Sequence, residues 1–201
     1  MSRFIESIRE VEKLPGDYKT EIHYIGQIVK GINFDTEIGL YCEVQLEYSD
    51  SWTELPQKAD APIQTITSYP GDEEIYVWCH PLDLYFASDS IFGSPKLIIR
   101  VWRLDDLGRI DLFSYGVCSL PCTSGSFYLE CPTWRPIGNW RDEAMAFFVG
   151  GPPRLTNQDA LNKKMNLRQK IKTVSSGTVV IELETILKNF EKHWTLSKNI
   201  E

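Results

Sequence analysis

The stretch that decides the class of fold is Tyr41-Cys-Glu-Val-Gln-Leu-Glu-Tyr48. From residue 42 onward, apolar side chains alternate one by one with Glu43, Gln45 and Glu47. A period of two is that of an extended strand with one face buried and the other in water. The stretch therefore predicts a half-buried β-strand.

Four further runs are rich in β-branched and aromatic residues, and they cover residues 22–29, 75–79, 96–104 and 178–184. Glycine and proline separate the runs, for example at Gly31, Pro70 and Pro95. Many short strands between frequent turns are typical of an antiparallel β-sandwich and not of alternating βαβ units. We expect the longest loop between Ser49 and Ile75.

Composition indicates one ordinary globular domain of 201 residues, 42% of them hydrophobic. The chain has 21 Lys and Arg against 28 Asp and Glu, a formal net charge of -7, which disfavours binding to nucleic acid. No apolar run approaches the roughly 20 residues that span a bilayer, and charges interrupt the first residues, unlike a secretory signal. Five cysteines without a CxxC pair then predict reduced thiols in a cytoplasmic protein.

Helices are predicted at the ends of the chain. Apolar residues at near-helical spacing in 4–14 predict a helical arm over residues 1–20, which either packs on the domain or binds a partner. A last helix is predicted from about Thr185 to Trp194. The chain is thus expected to comprise an N-terminal arm (1–20), one domain (21–195) and a short tail (196–201).

A short internal helix is also predicted. Asn139 can cap its first turn, and Asp142 three residues later completes a variant of the capping box. The sequence Gly150-Gly-Pro-Pro153 ends it.

Seven segments occur in an order that resembles the B9-domain proteins. The resemblance runs from about residue 22 to residue 194 and leaves the first 20 residues outside. The segments are Ile22-His-Tyr-Ile-Gly-Gln-Ile-Val, Trp78-Cys-His-Pro-Leu-Asp-Leu-Tyr-Phe-Ala, Pro95-Lys-Leu-Ile-Ile-Arg-Val-Trp with Gly108-Arg109, Tyr115-Gly-Val-Cys, Cys131-Pro-Thr-Trp-Arg-Pro-Ile-Gly-Asn-Trp, Phe148-Val-Gly-Gly-Pro-Pro-Arg-Leu and Gly177-Thr-Val.

The resemblance implies an all-β, C2-like antiparallel sandwich of eight strands. It also implies a non-enzymatic scaffold subunit that assembles with two sister B9-domain proteins into part of the Meckel-syndrome complex. That complex lies at the ciliary transition zone, near the basal body and the cytoskeleton, and supports cilium assembly and a barrier to membrane-protein entry. The alternative is a peripheral membrane module that binds acidic lipid or calcium. Neither reading includes nucleic acid, a cofactor or a small-molecule substrate.

A C2-like fold raises the question of calcium, which takes about six to eight oxygen ligands from loops at one end of the sandwich. In calcium-binding C2 domains the third loop carries Asp-x-Asp, and here Arg103 stands where the first Asp belongs. Asp105 and Asp111 remain, with Asp35 and Glu37 on the first loop. We predict no metal site, and we expect the third-loop carboxylates, Asp106 included, to be solvated or paired with Arg103 or Arg109.

A basic strip lies near the C-terminal end of the domain, without an acidic residue in it: Lys163, Lys164, Arg168, Lys170 and Lys172. The strip is a solvated surface, a contact with an acidic sister subunit, or a dock for acidic lipid, where each charge would contribute about 1 kcal/mol.

Two Trp-Arg pairs, Trp134-Arg135 and Trp140-Arg141, form a candidate partner interface, because protein interfaces are enriched in both residue types. Stacking of an arginine on a tryptophan within the domain explains the pairs equally well.

No catalytic residue is predicted. Cys79 and His80 are neighbours on a strand, and such side chains point to opposite faces. His23 and His193 have no carboxylate partner that spacing reveals, and no nucleophile elbow or phosphate loop occurs. The remaining cysteines are expected to be buried thiols and not zinc ligands.

Overall fold

Nine strands form one antiparallel sheet within residues 20–55, 61–71, 73–88, 93–137 and 172–190, which the computed structural model describes. Their order across the sheet is β3-β5-β1-β9-β8-β7-β6-β2-β4. The strands are β1 (Thr20–Ile32), β2 (Gly39–Glu47), β3 (Trp52–Glu54), β4 (Ile63–Gln64), β5 (Tyr76–Ser88), β6 (Lys96–Leu104), β7 (Ile110–Ser119), β8 (Gly125–Pro136) and β9 (Thr173–Lys188).

The sheet folds over between β7 and β8 into two layers. In the described residues these strands share two residue pairs, Tyr115 with Trp134 and Gly116 with Thr133. The first layer comprises β3, β5, β1, β9 and β8, and the second comprises β7, β6, β2 and β4. The Trp78 indole on β5 donates a 3.1 Å hydrogen bond to the Leu40 carbonyl on β2, although the two strands are far apart in the sheet order. The layers therefore face each other, and the predicted β-sandwich is confirmed.

The core lies between the layers and is built by alternation along each strand. Inward side chains of both layers join one buried cluster, whereas their sequence neighbours face outward. Members from the first layer include Ile22, Tyr24, Ile28, Ile181 and Leu183, and members from the second include Leu40, Val44, Leu97, Ile99 and Val101.

Each predicted strand overlaps an observed one to within one residue at an end, and the long loop is confirmed in part. Residues 41–48 belong almost entirely to β2, and residues 96–104 coincide with β6. Between Ser49 and Ile75, β3 has three residues and β4 has two, and both lie at edges of the sheet. These two short strands bring the number described to nine, against the eight expected.

The prediction of a helix from Thr185 is wrong. Residues 185–188 are the end of β9, where Thr185 pairs with Tyr24 on one side and Gly125 on the other. Burial keeps the period of two, because Ile181, Leu183 and Thr185 are buried and the residues between them are exposed. Neighbouring strands on both sides take up the backbone hydrogen bonds that a helix would form internally.

Other predicted elements lie outside the described residues. They are the N-terminal arm before Thr20, the internal helix from Asn139 to Gly150, and the tail. In the ranges that are described, no helix is long and apolar enough to span a bilayer.

Candidate interaction surfaces

The loop between β6 and β7 uses its carboxylates internally. Asp105 Oδ1 accepts hydrogen bonds from the backbone N–H groups of Leu107 at 2.9 Å and Arg109 at 2.8 Å, and its Oδ2 accepts one from Arg109 Nε at 2.7 Å. The bond from the Arg109 backbone is the main reason that the pKa of Asp105 is lowered. Of the alternatives expected for this carboxylate, solvation or pairing with Arg103 or Arg109, the structure has the pair with Arg109.

The other loop acids are dispersed. Arg103 Nη2 lies 3.5 Å from Asp111 Oδ2, so this acid too is paired with one of the two expected arginines. Asp35 and Glu37 instead line a depression of about 690 Å³ with Glu74. In the described part of the chain, no group of three or more His, Cys, Asp or Glu side chains is placed to hold a metal ion.

The two predicted surfaces are described only in part. Trp134 is half-buried, and its ring centroid lies 5.5 Å from that of Tyr115, so it contributes to the packing of the domain. Arg135 is exposed. Of the basic strip, Lys172 is exposed just before β9, and its carbonyl accepts a 2.8 Å hydrogen bond from the Ile137 backbone. The outlying members, Trp140, Arg141, Lys163, Lys164, Arg168 and Lys170, fall outside the described ranges.

The five cysteines are all free thiols, as the odd count predicted. Cys42, Cys118 and Cys131 are buried in the core. Burial, with the nearby Glu43 charge, raises the pKa of Cys42, so this thiol stays protonated and unreactive. Cys79 is exposed at a bulge of β5, where its φ is 45°.

His23 has a carboxylate partner that sequence spacing did not reveal. Its Nε2 lies 2.7 Å from Asp83 Oδ1. The antiparallel pairing of β1 with β5 brings these residues together across 60 positions of sequence. Strand register, and not spacing in the sequence, therefore decides this partner, and His193 lies outside the described residues.

A second polar group lies beside this pair. Tyr85 donates a hydrogen bond to Glu21, and Lys188 Nζ lies 3.0 Å from Glu21 Oε2. Burial and the bond to Glu21 raise the pKa of Tyr85 to about 12. Burial alone would raise the pKa of Glu21, but the hydrogen bonds from Tyr85 and Lys188 and the Lys188 charge bring it below its usual value.

The two outer faces of the sandwich differ in exposure. On the second layer, Ile98, Leu112 and Tyr115 form a buried cluster. On the described part of the first layer, four large apolar side chains are more than 40% exposed: Ile25 by 44%, Val77 by 54%, Tyr128 by 56% and Ile186 by 50%. We call the outward-facing residues of β8, β9, β1 and β5 the open face; they include those four with Asp83, Glu130, Glu182 and Glu184. This surface was not predicted, because its only signal in the sequence is apolar residues at positions that the fold turns outward.

A depression of about 400 Å³ lies at the centre of the open face, at Gly26. A Cβ atom at Gly26 would lie 2.0 Å from the Glu182 carbonyl oxygen, so only glycine fits this approach of β1 to β9. Ile25, Cys79 and Pro81 line the depression on one side, and Ser126, Glu182 and Glu184 line it on the other.

Comparison with known proteins decides the family. The B9-C2 family model, described as "Ciliary basal body-associated, B9 protein", matches residues 22–186. The chain belongs to the B9 family. It is 38% identical over 173 residues to B9 domain-containing protein 2 of Bos taurus, and 36% identical to that of Homo sapiens; each match covers 86% of this chain and 97% of the relative.

More distant B9 proteins are also similar to the chain. B9 domain-containing protein 1 of Xenopus laevis is 24% identical over 154 residues, which are 76% of this chain and 77% of the relative. Among solved structures, a C2 domain of plant Extended Synaptotagmin 1 is similar with a TM-score of 0.40 and 13% identity, over 82% of this chain and 92% of that one. The predicted family resemblance is confirmed, and the B9 match contains nearly all of the four strands that form the open face.

Proposed function

We propose that the chain is a non-enzymatic scaffold subunit that assembles with two sister B9-domain proteins at the ciliary transition zone. The observation that carries the proposal is the open face, where Ile25, Val77, Tyr128 and Ile186 are exposed on one rigid sheet. Exposed apolar side chains set among polar groups on one face of a sheet are typical of protein-protein contact surfaces. Membership of a family described as basal body-associated supports the location.

Binding is favoured over catalysis by the way the reactive side chains are used. Cys42 and Cys131 are thiols buried in the core, away from any substrate in solvent. The carboxylate of Asp105 is engaged by its own loop. In this proposal the domain from 21 to 195 is a rigid module on the cytoplasmic side of the cilium base, where the complex supports cilium assembly and the membrane-protein barrier.

The test is co-expression of the full chain with its two sister B9-domain proteins, purification through a tag on one sister, and light scattering of the product. We expect a stoichiometric complex that survives size-exclusion chromatography at micromolar concentration. A chain that stays monomeric beside both sisters would contradict the proposal. A tagged chain that fails to concentrate at the cilium base in ciliated cells would contradict the location.

The exposed position of Lys172, beside the rest of the basic strip in sequence, favours a second candidate function, contact with acidic lipid. Sedimentation of the full chain with phosphatidylserine vesicles, in low and high salt and with or without calcium, tests it. Lys170→Gln with Lys172→Gln should abolish salt-sensitive binding if the strip docks on lipid. Binding that is unchanged in this variant would discard the strip as a lipid site.

A further inference from the structure

Two central rows of the open face place apolar side chains beside acidic ones in register. One row across the strands runs from Tyr128 on β8 through Glu182 on β9 to Gln27 on β1. In the next row, Glu184 on β9 pairs with Ile25 on β1. Directly opposed residues on one face have Cβ atoms about 4.5–5.5 Å apart, so Tyr128 and Ile25 each have a carboxylate beside them. Ile186 is opposed by His23, and Val77 is opposed by Lys30.

The carboxylates of this face fall into two sets. Glu21 is paired with Lys188, and Asp83 with His23. Glu130, Glu182 and Glu184 are exposed, and within the described residues no basic side chain forms an ion pair with them. Gln27 Nε2 lies 3.4 Å from Glu182 Oε2, which is a weak neutral contact. The second set is therefore available to positive charge from another molecule.

The depression at Gly26 supplies an apolar pocket beside these carboxylates. Its volume of about 400 Å³ is at the lower end of the roughly 300–1,000 Å³ of ligand pockets, and it can take a large side chain. Glu182 and Glu184 stand on its rim, and Ile25 and Pro81 form its opposite wall. An apolar side chain placed there would be flanked by basic neighbours within reach of both glutamates.

The chemistry of the face argues against two other occupants. A two-fold contact between copies of this chain that is centred on the depression would bring Glu182 and Glu184 close to the same residues of the second copy, with like-charge repulsion. An anionic membrane would be repelled in the same way. Strand addition at the free edge of β5 is also disfavoured, because Pro81 lacks an N–H and Cys79 at φ 45° bulges the strand.

We infer that the open face binds a basic segment of a sister B9-domain protein, with one apolar side chain seated in the depression at Gly26 and Lys or Arg side chains paired with Glu182 and Glu184. This inference rests on the proposed scaffold function and names the surface and the partner chemistry. Recognition is through side chains on the sheet face, so charge and apolar contact both contribute to affinity.

Two variants of the full chain test the face, and each has a matched control. Glu182→Lys with Glu184→Lys reverses the charge of the face, and Glu73→Lys with Asp106→Lys makes the same change in net charge on exposed loops. Ile25→Thr with Ile186→Thr removes apolar area from the face while keeping β-branched residues on the strands. Its control is Leu107→Ser, which removes exposed apolar area from a loop. Circular dichroism and thermal melting confirm that each variant is folded.

The first measurement is the affinity of each variant for the co-expressed sister proteins. We expect both face variants to weaken binding about tenfold or more and both controls to stay within about twofold, with weaker binding at higher salt for the native chain. If the complex forms and is indifferent to both face variants, the inference is overturned and the scaffold function stands.

The second measurement separates the inference from the scaffold function. A peptide of alternating lysine and leucine is titrated against the full chain, and the change in tryptophan fluorescence or in amide shifts is followed. If no sister complex forms but the peptide binds the native face and not the charge-reversed one, the scaffold function fails and the chemistry of the face stands. If no sister complex forms and the peptide does not bind the native chain, both the scaffold function and the inference about the open face are overturned. A dimer of the chain alone, or vesicle binding, that the face variants abolish would assign another occupant and overturn the inference.

Discussion

Gly177 lies against the ring of Phe34. Its φ is +77°, and a Cβ atom at this position would lie 2.5 Å from Phe34 Cδ1. The Gly177 carbonyl accepts a 3.1 Å hydrogen bond from Thr133 Oγ1 on β8. The turn after β1, which carries Phe34, is thereby held against β9, and a residue without a side chain is required at the contact.

Gly177→Ala is expected to lower the free energy of unfolding by about 2 kcal/mol, because the new methyl group meets the Phe34 ring and the backbone is in the left-handed region. Urea denaturation followed by tryptophan fluorescence measures the change. Gly71→Ala is the control, since nothing lies within 4 Å of a Cβ there, and it should change stability by less than about 0.5 kcal/mol. Equal effects of the two substitutions would contradict the contact.

Trp78 links the layers through its indole N–H. Trp78→Phe keeps most of the aromatic ring but removes the 3.1 Å hydrogen bond to the Leu40 carbonyl. That carbonyl also accepts a 2.8 Å hydrogen bond from the Ser68 backbone N–H. Because the Leu40 carbonyl keeps one hydrogen-bond partner, we expect Trp78→Phe to lower the free energy of unfolding by about 1 kcal/mol. Trp78→Ala leaves a cavity and should lower it by about 3–5 kcal/mol. Equilibrium unfolding in urea distinguishes the two. An equal loss of stability in Trp78→Phe and Trp78→Ala would contradict this prediction, because it would mean that the difference between the indole and phenyl rings matters as much as the cavity.

Trp134 and Tyr115 are expected to stabilise the junction of β7 and β8 together. A double-mutant cycle of Trp134→Ala and Tyr115→Ala should give a coupling of about 0.5–1.5 kcal/mol, because the rings pack at a tilt of 33° with centroids 5.5 Å apart. Arg135→Ala is the control and should change stability by less than about 0.5 kcal/mol, since this side chain is exposed. Additive single effects would contradict the contact.

Alkaline pH is expected to destabilise the domain through Tyr85. Its pKa is raised from 10.0 to about 12, so the unfolded chain ionises at this tyrosine before the folded chain does. The stability that Tyr85 contributes to the folded state through its raised pKa is complete below pH 10, and it is lost as pH rises from 10 towards 12. Melting temperatures between pH 8 and 12 should fall less steeply for Tyr85→Phe than for the native chain.

The same variant provides a check at acid pH. Glu21 loses the Tyr85 hydrogen bond in Tyr85→Phe, so its lowered pKa should return towards the ordinary 4.5. A carboxylate with a lowered pKa adds stability above the unfolded value, and this stability is lost as pH falls through the folded value. The variant should therefore lose stability at a higher acid pH than the native chain. Identical profiles on both limbs would contradict the Tyr85–Glu21 contact.

Calcium is expected to leave the melting temperature unchanged up to millimolar concentration, because Asp105 is paired with Arg109 and Asp111 with Arg103. A ligand that binds the folded state would raise the melting temperature in proportion to the logarithm of its concentration. Magnesium at equal ionic strength is the control. A rise of several degrees with calcium and none with magnesium would contradict the prediction.

Strand positions in this domain could be predicted because their signal is local. The alternation in residues 41–48 and the apolar run of 96–104 are complete within a few residues. Both regions are strands as predicted, and in the first of them the expected side is buried. Residues 185–188 lacked such a signal. There the strand is imposed by β1 and β8 on either side of β9, and the local sequence alone was compatible with a helix.

Pairs formed across strands could not be predicted in the same way. His23 and Asp83 are 60 positions apart, and Glu21 and Lys188 are 167 apart. The loop acids Asp105 and Asp111 were the exception, since their arginine partners lie within eight residues in sequence. Short spacing allowed those pairs to be expected, while register alone decided the others.

The sequence by itself determined the all-β class, the free thiols and the B9 family, because composition, a period of two and ordered motifs are properties of the linear chain. Only the tertiary structure decided which apolar residues remain in water. Ile25 and Ile28 lie three positions apart on β1, yet Ile25 is on the open face and Ile28 is in the core. The folding of one sheet into two layers buries one side of β1 and leaves the other to solvent, and that choice depends on strands at the far end of the chain.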